Sequence, residues 1–212
     1  MGYTHYWYRT KEIDQFNFDC IVNDFSKFLP LFKVLDIQLA DGNGMGKPEL
    51  SNDLVCFNGK DNCGHKENKQ VSIPWPSNNI KSGVAVGSNQ ALSGQWFAGV
   101  TLNQRTCNGS CSYETFYFPR VDENSHTVDR VAYRKENGEN VYTDPMKVGK
   151  YFNCTKTVFR PYDLAVCVFL IIAKHHLGTK IFVSSDGEMP QWKDALQMVK
   201  NALNYDSEFK LQ

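Results

Sequence analysis

The sequence predicts an α+β fold: a mostly antiparallel sheet covered on one side by about three helices, with an irregular Gly/Ser/Asn-rich insertion. Three observations predict it. Phe18, Val22, Phe25, Phe28, Leu29 and Phe32 recur at three- and four-residue steps and make one apolar helical stripe. The last third reads as a capped apolar helix feeding a buried strand, followed by an amphipathic helix. Between these, short alternating segments are separated by turn residues, which places the strands in the middle of the chain.

The elements follow in order. Tyr3 to Thr10 is a strand, with Tyr3, His5, Trp7 and Arg9 on one face and Thr4, Tyr6, Tyr8 and Thr10 on the other. Both faces are aromatic or polar, and such residues favour strands. Phe16 to Phe32 is a helix that Pro30 ends or kinks. Val34 to Leu39 is a short strand, Asp41 to Pro48 a loop, and Asp53 to Phe57 a strand closed by the turn signal Asn58-Gly59. From Lys60 to about Ser110 the chain turns rich in Gly, Asn, Ser and Pro, with short strands expected near Gly83 to Val86 and Trp96 to Leu102. A loop of this length is tied down or functional. Glu114 to Arg120 alternates as a strand, and Val128 to Tyr133 and Val141 to Thr143 are weaker strand signals.

The helix Pro161 to Leu177 is marked at both ends. Pro161 suits the first helical position and Asp163 supplies negative charge to the first turn. Lys174, His175 and His176 supply cations to the last turn, and Gly178 suits the left-handed residue beyond it. Leu164 to Ala173 is apolar on every side, so the helix is central. Lys180 to Ser184 is a core strand. Pro190 to Leu203 is a final helix with Trp192, Leu196, Val199 and Leu203 on one face, and the tail from Asn204 is expected to fray.

The 212 residues predict a single domain, 1–212, carrying an inserted segment at about 60–111. Lys+Arg and Asp+Glu are both 23, a balance that does not indicate nucleic-acid or anionic-membrane binding. The start lacks the charged and apolar regions of a secretory signal, and no apolar run is long enough to span a membrane. The expectation is a soluble, intracellular, cytoplasmic protein. Its seven cysteines are then read as thiols or metal ligands before disulfides.

The sharpest constellation is Cys63-x-His65 with Cys107-x-x-x-Cys111, one pair opening the insertion and the other closing it. Zinc takes four Cys or His ligands in a tetrahedron, and such ligation folds irregular loops that lack a core. One structural zinc is therefore the first reading, with a disulfide or free thiols as the alternatives. Four protein ligands leave no open position for catalysis. A second group is His5, His176 and Asp186, weak catalytic candidates at strand and helix ends. Against it, histidines at a helix C-terminus stabilise the dipole, and the Ser184 to Glu188 turn can cap the next helix. Asp163 and His176 lie at opposite ends of one helix, about 20 Å apart, and cannot share a site. The strand residues Tyr6 and Trp7 can stack a base or sugar, or simply pack in the core. Asp41 to Gly46 is glycine-rich, but no helix follows it, so it is not a phosphate loop.

The opening Met1-Gly2-Tyr3-Thr4-His5-Tyr6-Trp7, Phe57-Asn58-Gly59, Glu114-Thr115-Phe116, Arg160-Pro161-Tyr162-Asp163, Lys174-His175-His176 and Ser184-Ser185-Asp186-Gly187 together carry a resemblance. The chain resembles an uncharacterised family of small proteins from bacteria, phages, larger-genome viruses and microbial eukaryotes. It departs from the shorter members by the segment from about Lys60 to Cys111, and by the register of Phe152 to Thr157, where the family pattern is Phe-Cys-Lys-Thr. The resemblance implies one compact domain and no particular activity. It points to the polar residues framing the last buried helix, so Arg160, Tyr162, Asp163 and Ser185 join Tyr6 and Trp7 as ligand-binding candidates.

The function expected is that of a non-enzymatic binding or assembly module whose clasped loop, dotted with Trp75, Trp96 and Phe97, meets a protein partner. The alternative is a hydrolase or nucleotide-modifying enzyme using His5, His176 and Asp186.

Overall fold

A computed structural model describes residues 2–66, 69–71, 104–205 and 209–212. The strands expected near Gly83 and Trp96, and the aromatic residues Trp75, Trp96 and Phe97, lie outside the described residues.

The fold is α+β, and all the pairings between described strands are antiparallel. The strands divide between two main sheets and two ribbons instead of one sheet. In the first sheet β1 (Thr4–Arg9) is central, flanked by β10 (Tyr151–Lys156) and β11 (Ile181–Ser185). In the second, β4 (Leu54–Gly59) pairs with β2 (Leu39–Ala40), β3 (Glu49–Leu50) and β7 (Phe116–Pro119). One ribbon joins β5 (Lys69–Val71) to β6 (Arg105–Cys107); the other joins β8 (Val131–Arg134) to β9 (Asn140–Tyr142).

The helices are α1 (Gln15–Ser26), the short α2 (Leu29–Val34), α3 (Asp163–Leu177) and α4 (Met189–Leu203). Asp14 caps α1 by accepting the amide of Asn17 at 3.0 Å. The chain breaks after Ser26, and Pro30 sits in the first turn of α2, where its missing N–H costs nothing. The proline thus starts a second helix. That helix takes up Val34, so the expected strand over Val34 to Leu39 shrinks to Leu39–Ala40.

α3 is the centre of the molecule. Residues Asp163 to Ala173 are all buried, and α1 and α4 pack on it. Each large aliphatic side chain so enclosed contributes about 1.5–3 kcal/mol. Phe25, Phe116 and Phe118 meet Phe169 edge-on at ring distances of 5.2, 5.0 and 4.9 Å, which ties α1 and β7 to the same helix. The tail does not fray throughout: Phe209 stacks on Trp192 at 5.1 Å and the Gln212 amide donates to the Val183 carbonyl. No helix among the described residues is long and apolar enough to cross a membrane.

Candidate metal centre and a buried ionic centre

Gly59 is the last residue of β4, and its lack of a side chain lets the Cys111 backbone come against it; a Cβ there would run into the Cys111 carbonyl. Asn58-Gly59 is therefore not the turn that its composition suggests. Asn58 is buried in the strand, where its side chain accepts the Tyr113 amide at 3.0 Å and donates to the Tyr113 carbonyl at 3.0 Å. These contacts bring the second cysteine loop beside the first. In each loop a glycine with positive φ stands between the ligands, Gly64 at 76° and Gly109 at 81°, a conformation that reverses the chain without steric cost.

The result is one cluster. A sulfur from each of Cys63, Cys107 and Cys111 and a ring nitrogen of His65 all lie within 4.8 Å of one another. Cys63 Sγ is 3.5 Å from Cys107 Sγ, and His65 Nδ1 is 3.2 Å from Cys111 Sγ. Ligands about 2.3 Å from a central zinc at tetrahedral angles stand about 3.8 Å apart, so the spacing suits a metal. The seven cysteines are free thiols in this structure. Burial and the neighbouring Cys107 and Cys63 push the Cys111 thiol up, and burial does the same for Cys107. A bound cation would remove that penalty by taking the sulfurs as thiolates.

Behind His65 stands a residue the sequence did not single out. His65 Nε2 lies 3.0 Å from Asp36 Oδ2, so the imidazole can face the cluster through Nδ1 while donating its other N–H to a carboxylate. Metal-binding histidines are oriented in this way. Burial opposes charge on Asp36, but Lys69, His65 and Gln38 together outweigh it and hold its carboxyl at about 2. Asp36 itself has φ 59°, just past α2, and no sequence spacing links it to residue 65.

The second group resolves differently from the expectation. His5 is fully buried, with Nε2 2.7 Å from Asp163 Oδ1 and Nδ1 3.0 Å from Ser185 Oγ. Thr157 Oγ1 donates to the same Asp163 oxygen at 2.5 Å, and Arg105 Nε donates to Asp163 Oδ2 at 2.9 Å. Arg105 Nη1 reaches Asp194 Oδ2 at 2.5 Å. Trp192 lies edge-on to His5 at 4.9 Å. Burial alone would raise the Asp163 carboxyl; His5 and Arg105 overcome that and hold it at about 2.

His176 is not part of this centre. It lies at the far end of α3, where Nε2 is 2.8 Å from Asp24 Oδ2 and Tyr205 also contacts both groups. Asp186 is near His5 in the chain pairing but on the other face of β1. It accepts the Thr4 amide at 3.0 Å and the Tyr6 hydroxyl at 2.9 Å. His5, His176 and Asp186 thus form no shared acid–base set, because strand alternation and helix length send them to three places.

Cys167 Sγ is 3.7 Å from His5 Nε2 and 3.8 Å from Asp163 Oδ2, which makes His5, Asp163 and Cys167 a second cluster of metal-ligating types. Arg105 already holds the carboxylate oxygen that a metal would need, and a guanidinium beside a cation is repulsive. Ser185, His5 and Asp163 also form a hydrogen-bonded chain in the order of an acyl-transfer triad. The amides that could serve an oxyanion are committed: Asp186 to the Thr4 carbonyl, Gly187 to Ser185 Oγ and Glu188 to Gln191 Oε1. The centre is a buried ionic knot in which both Asp163 oxygens are engaged, while Arg105 Nη2 and Trp192 Nε1 are buried without a partner.

The other candidates make contacts within the body of the fold. Trp7 is buried against Phe116 and Phe118 at 5.2 and 6.1 Å. Tyr162 donates to the Glu114 carbonyl at 2.7 Å, and Arg160 donates to the Ser110 carbonyl, which ties the start of α3 to the second cysteine loop. Comparison with protein-family models, curated proteins and solved structures yields no match, so the functional argument rests on this geometry.

Proposed function

We propose that Cys63, His65, Cys107 and Cys111 bind one structural zinc ion, and that the protein is a non-enzymatic binding module whose inserted segment is held on a rigid body for a protein partner. The observation that carries the reading is the convergence of four ligand atoms within 4.8 Å from two loops, with Asp36 behind the histidine. Cys63 and Cys107 stand 44 residues apart in the chain. Three sulfurs and one imidazole nitrogen suit zinc and fill its tetrahedron, leaving no position for a substrate.

A binding role has separate support from the β8–β9 ribbon, which lies outside the inserted segment and would extend the surface offered to the partner. Tyr133 and Tyr142 are 60% and 61% exposed, beside a groove of about 440 Å³ lined by Arg130, Tyr142, Thr143, Pro145 and Val148. An isolated ribbon is marginal in water, and exposed aromatics of this kind anchor partners. Purified protein should carry one equivalent of zinc by elemental analysis after extensive desalting. The intact chain should retain a stoichiometric protein that a Tyr133→Ser/Tyr142→Ser chain loses. A metal-free preparation that reloads nothing would end the zinc reading, and a partnerless monomer would end the binding one.

A further inference from the structure

Cys107 and Arg105 are two residues apart on β6, so their side chains leave the strand on the same face, and both are buried. Cys107 enters the metal cluster. Arg105 enters the main core and joins Asp163, the first residue of α3, to Asp194 of α4. Both carboxylates are fully buried. One short strand therefore ends in both sites, beside the Arg160–Ser110 contact that also ties α3 to the second cysteine loop.

Among the described residues, β6 is held at its Arg105 end by the two ion pairs and by the Phe159 ring, 5.1 Å from the guanidinium, and by little else. It pairs only with β5 among the described residues, and the Thr106 amide donates to the Phe159 carbonyl at 3.2 Å. A two-stranded ribbon does not stand alone. At its Cys107 end the buried apolar neighbours are the ligand cysteines, which form a cluster separate from the main core. Without a metal, that cluster is three cysteine side chains and an imidazole joined by the Cys63–Cys107 and His65–Cys111 contacts alone.

We propose that metal occupancy of the clasp is transmitted through Arg105 to the junction of α3 and α4: the loaded clasp seats the guanidinium between Asp163 and Asp194, and the empty clasp withdraws it. This rests on the metal reading above. Withdrawal leaves the buried Asp194 carboxylate without a cation and Asp163 with His5 and Thr157 alone, an unfavourable state that the helices relieve by opening locally. The bistable element is β6, and its two states differ in whether Arg105 lies in the core.

Hydrogen exchange on the intact chain tests this, comparing the zinc-loaded form with the form stripped by a chelator. Chelation should speed exchange of the amides in the first two turns of α3, and around Asp194 in α4, by about tenfold or more, while β4 and β7 stay protected. A second chain, Arg105→Met with Asp194→Leu, replaces the Arg105–Asp194 pair by apolar side chains and leaves Asp163 held by His5 and Thr157. It should still bind one zinc, and its α3 and α4 amides should no longer respond to chelation. Zinc binding with a response confined to residues 60–111 overturns the transmission but leaves the metal site standing. An undiminished α3 and α4 response in the substituted chain overturns the role of Arg105. Failure of the native chain to bind zinc at all removes the metal reading, and the transmission with it.

Discussion

The clasp and the ionic centre lie at opposite ends of one three-residue strand, yet they are built on opposite physical terms. The clasp gathers soft ligands at the edge of the fold, where the insertion offers no apolar core beyond the cysteines themselves among the described residues. The ionic centre sits inside the aromatic and aliphatic core, where Arg105 pairs with Asp163 and Asp194. The first gains most of its order from a ligand and is worth little without it. The second pairs its charges from the chain's own residues, leaving only Arg105 Nη2 and Trp192 Nε1 unpartnered, and taking one charged member away is costly. A buried cluster of chemically capable residues is therefore not evidence of a site until its partners are counted.

The largest test of this contrast is Cys111→Ala. Structural zinc in small sites binds with an apparent free energy of about 10–16 kcal/mol, so losing one of four ligands should abolish stoichiometric retention. Elemental analysis reads the result, and retention of a full equivalent would break the assignment of Cys111. Next is Asp163→Asn, which leaves His5 and Arg105 without their common anion. It should cost about 3–5 kcal/mol in urea denaturation while zinc content stays at one equivalent. A loss of zinc with no loss of body stability would invert the comparison.

Asp36→Asn probes the support behind His65. It should weaken metal affinity about 10- to 100-fold in competition with a chromophoric chelator, with the body's unfolding unchanged. The smallest effect is in acid. The folded Asp163 carboxyl is held at about 2, below its ordinary 3.8. A depressed carboxyl gives stability that is present above the unfolded value and is lost as pH falls through the folded one. The stability difference between the native chain and Asp163→Asn should therefore be constant above the ordinary value of 3.8 and shrink as pH falls from there to about 2. A difference independent of pH in that window would mean that the substitution acts by packing alone.

How much of this was legible varies with distance along the chain. The four clasp ligands were readable because each pair lies within one loop and zinc demands a fixed set of donor types. Asp36 was not, since it follows a short helix and meets His65 only after β2 and β4 pair. β10 was hidden as well: Asn153, Thr155 and Lys156 look like loop residues, and only pairing with β1, Thr4 opposite Lys156, makes them an edge strand. The grouping of His5 with His176 and Asp186 failed because strand-end and helix-end histidines look alike in a sequence, while the fold gave each its own carboxylate, Asp163 and Asp24.

The sequence by itself determined roughly where the helices lie, the apolar character of α3 and the donor types of the clasp, because these depend on residues within a few turns or one loop of each other. The break after Ser26 and the start of α3 at Asp163 in place of Pro161 came with the structure. Only the tertiary structure decided which carboxylate each cation meets, that Asn58-Gly59 serves as a close-packed strand end, and that one strand joins the clasp to the core. Those outcomes depend on contacts between residues far apart in the chain, such as His5 with Asp163, and local periodicity carries no record of them.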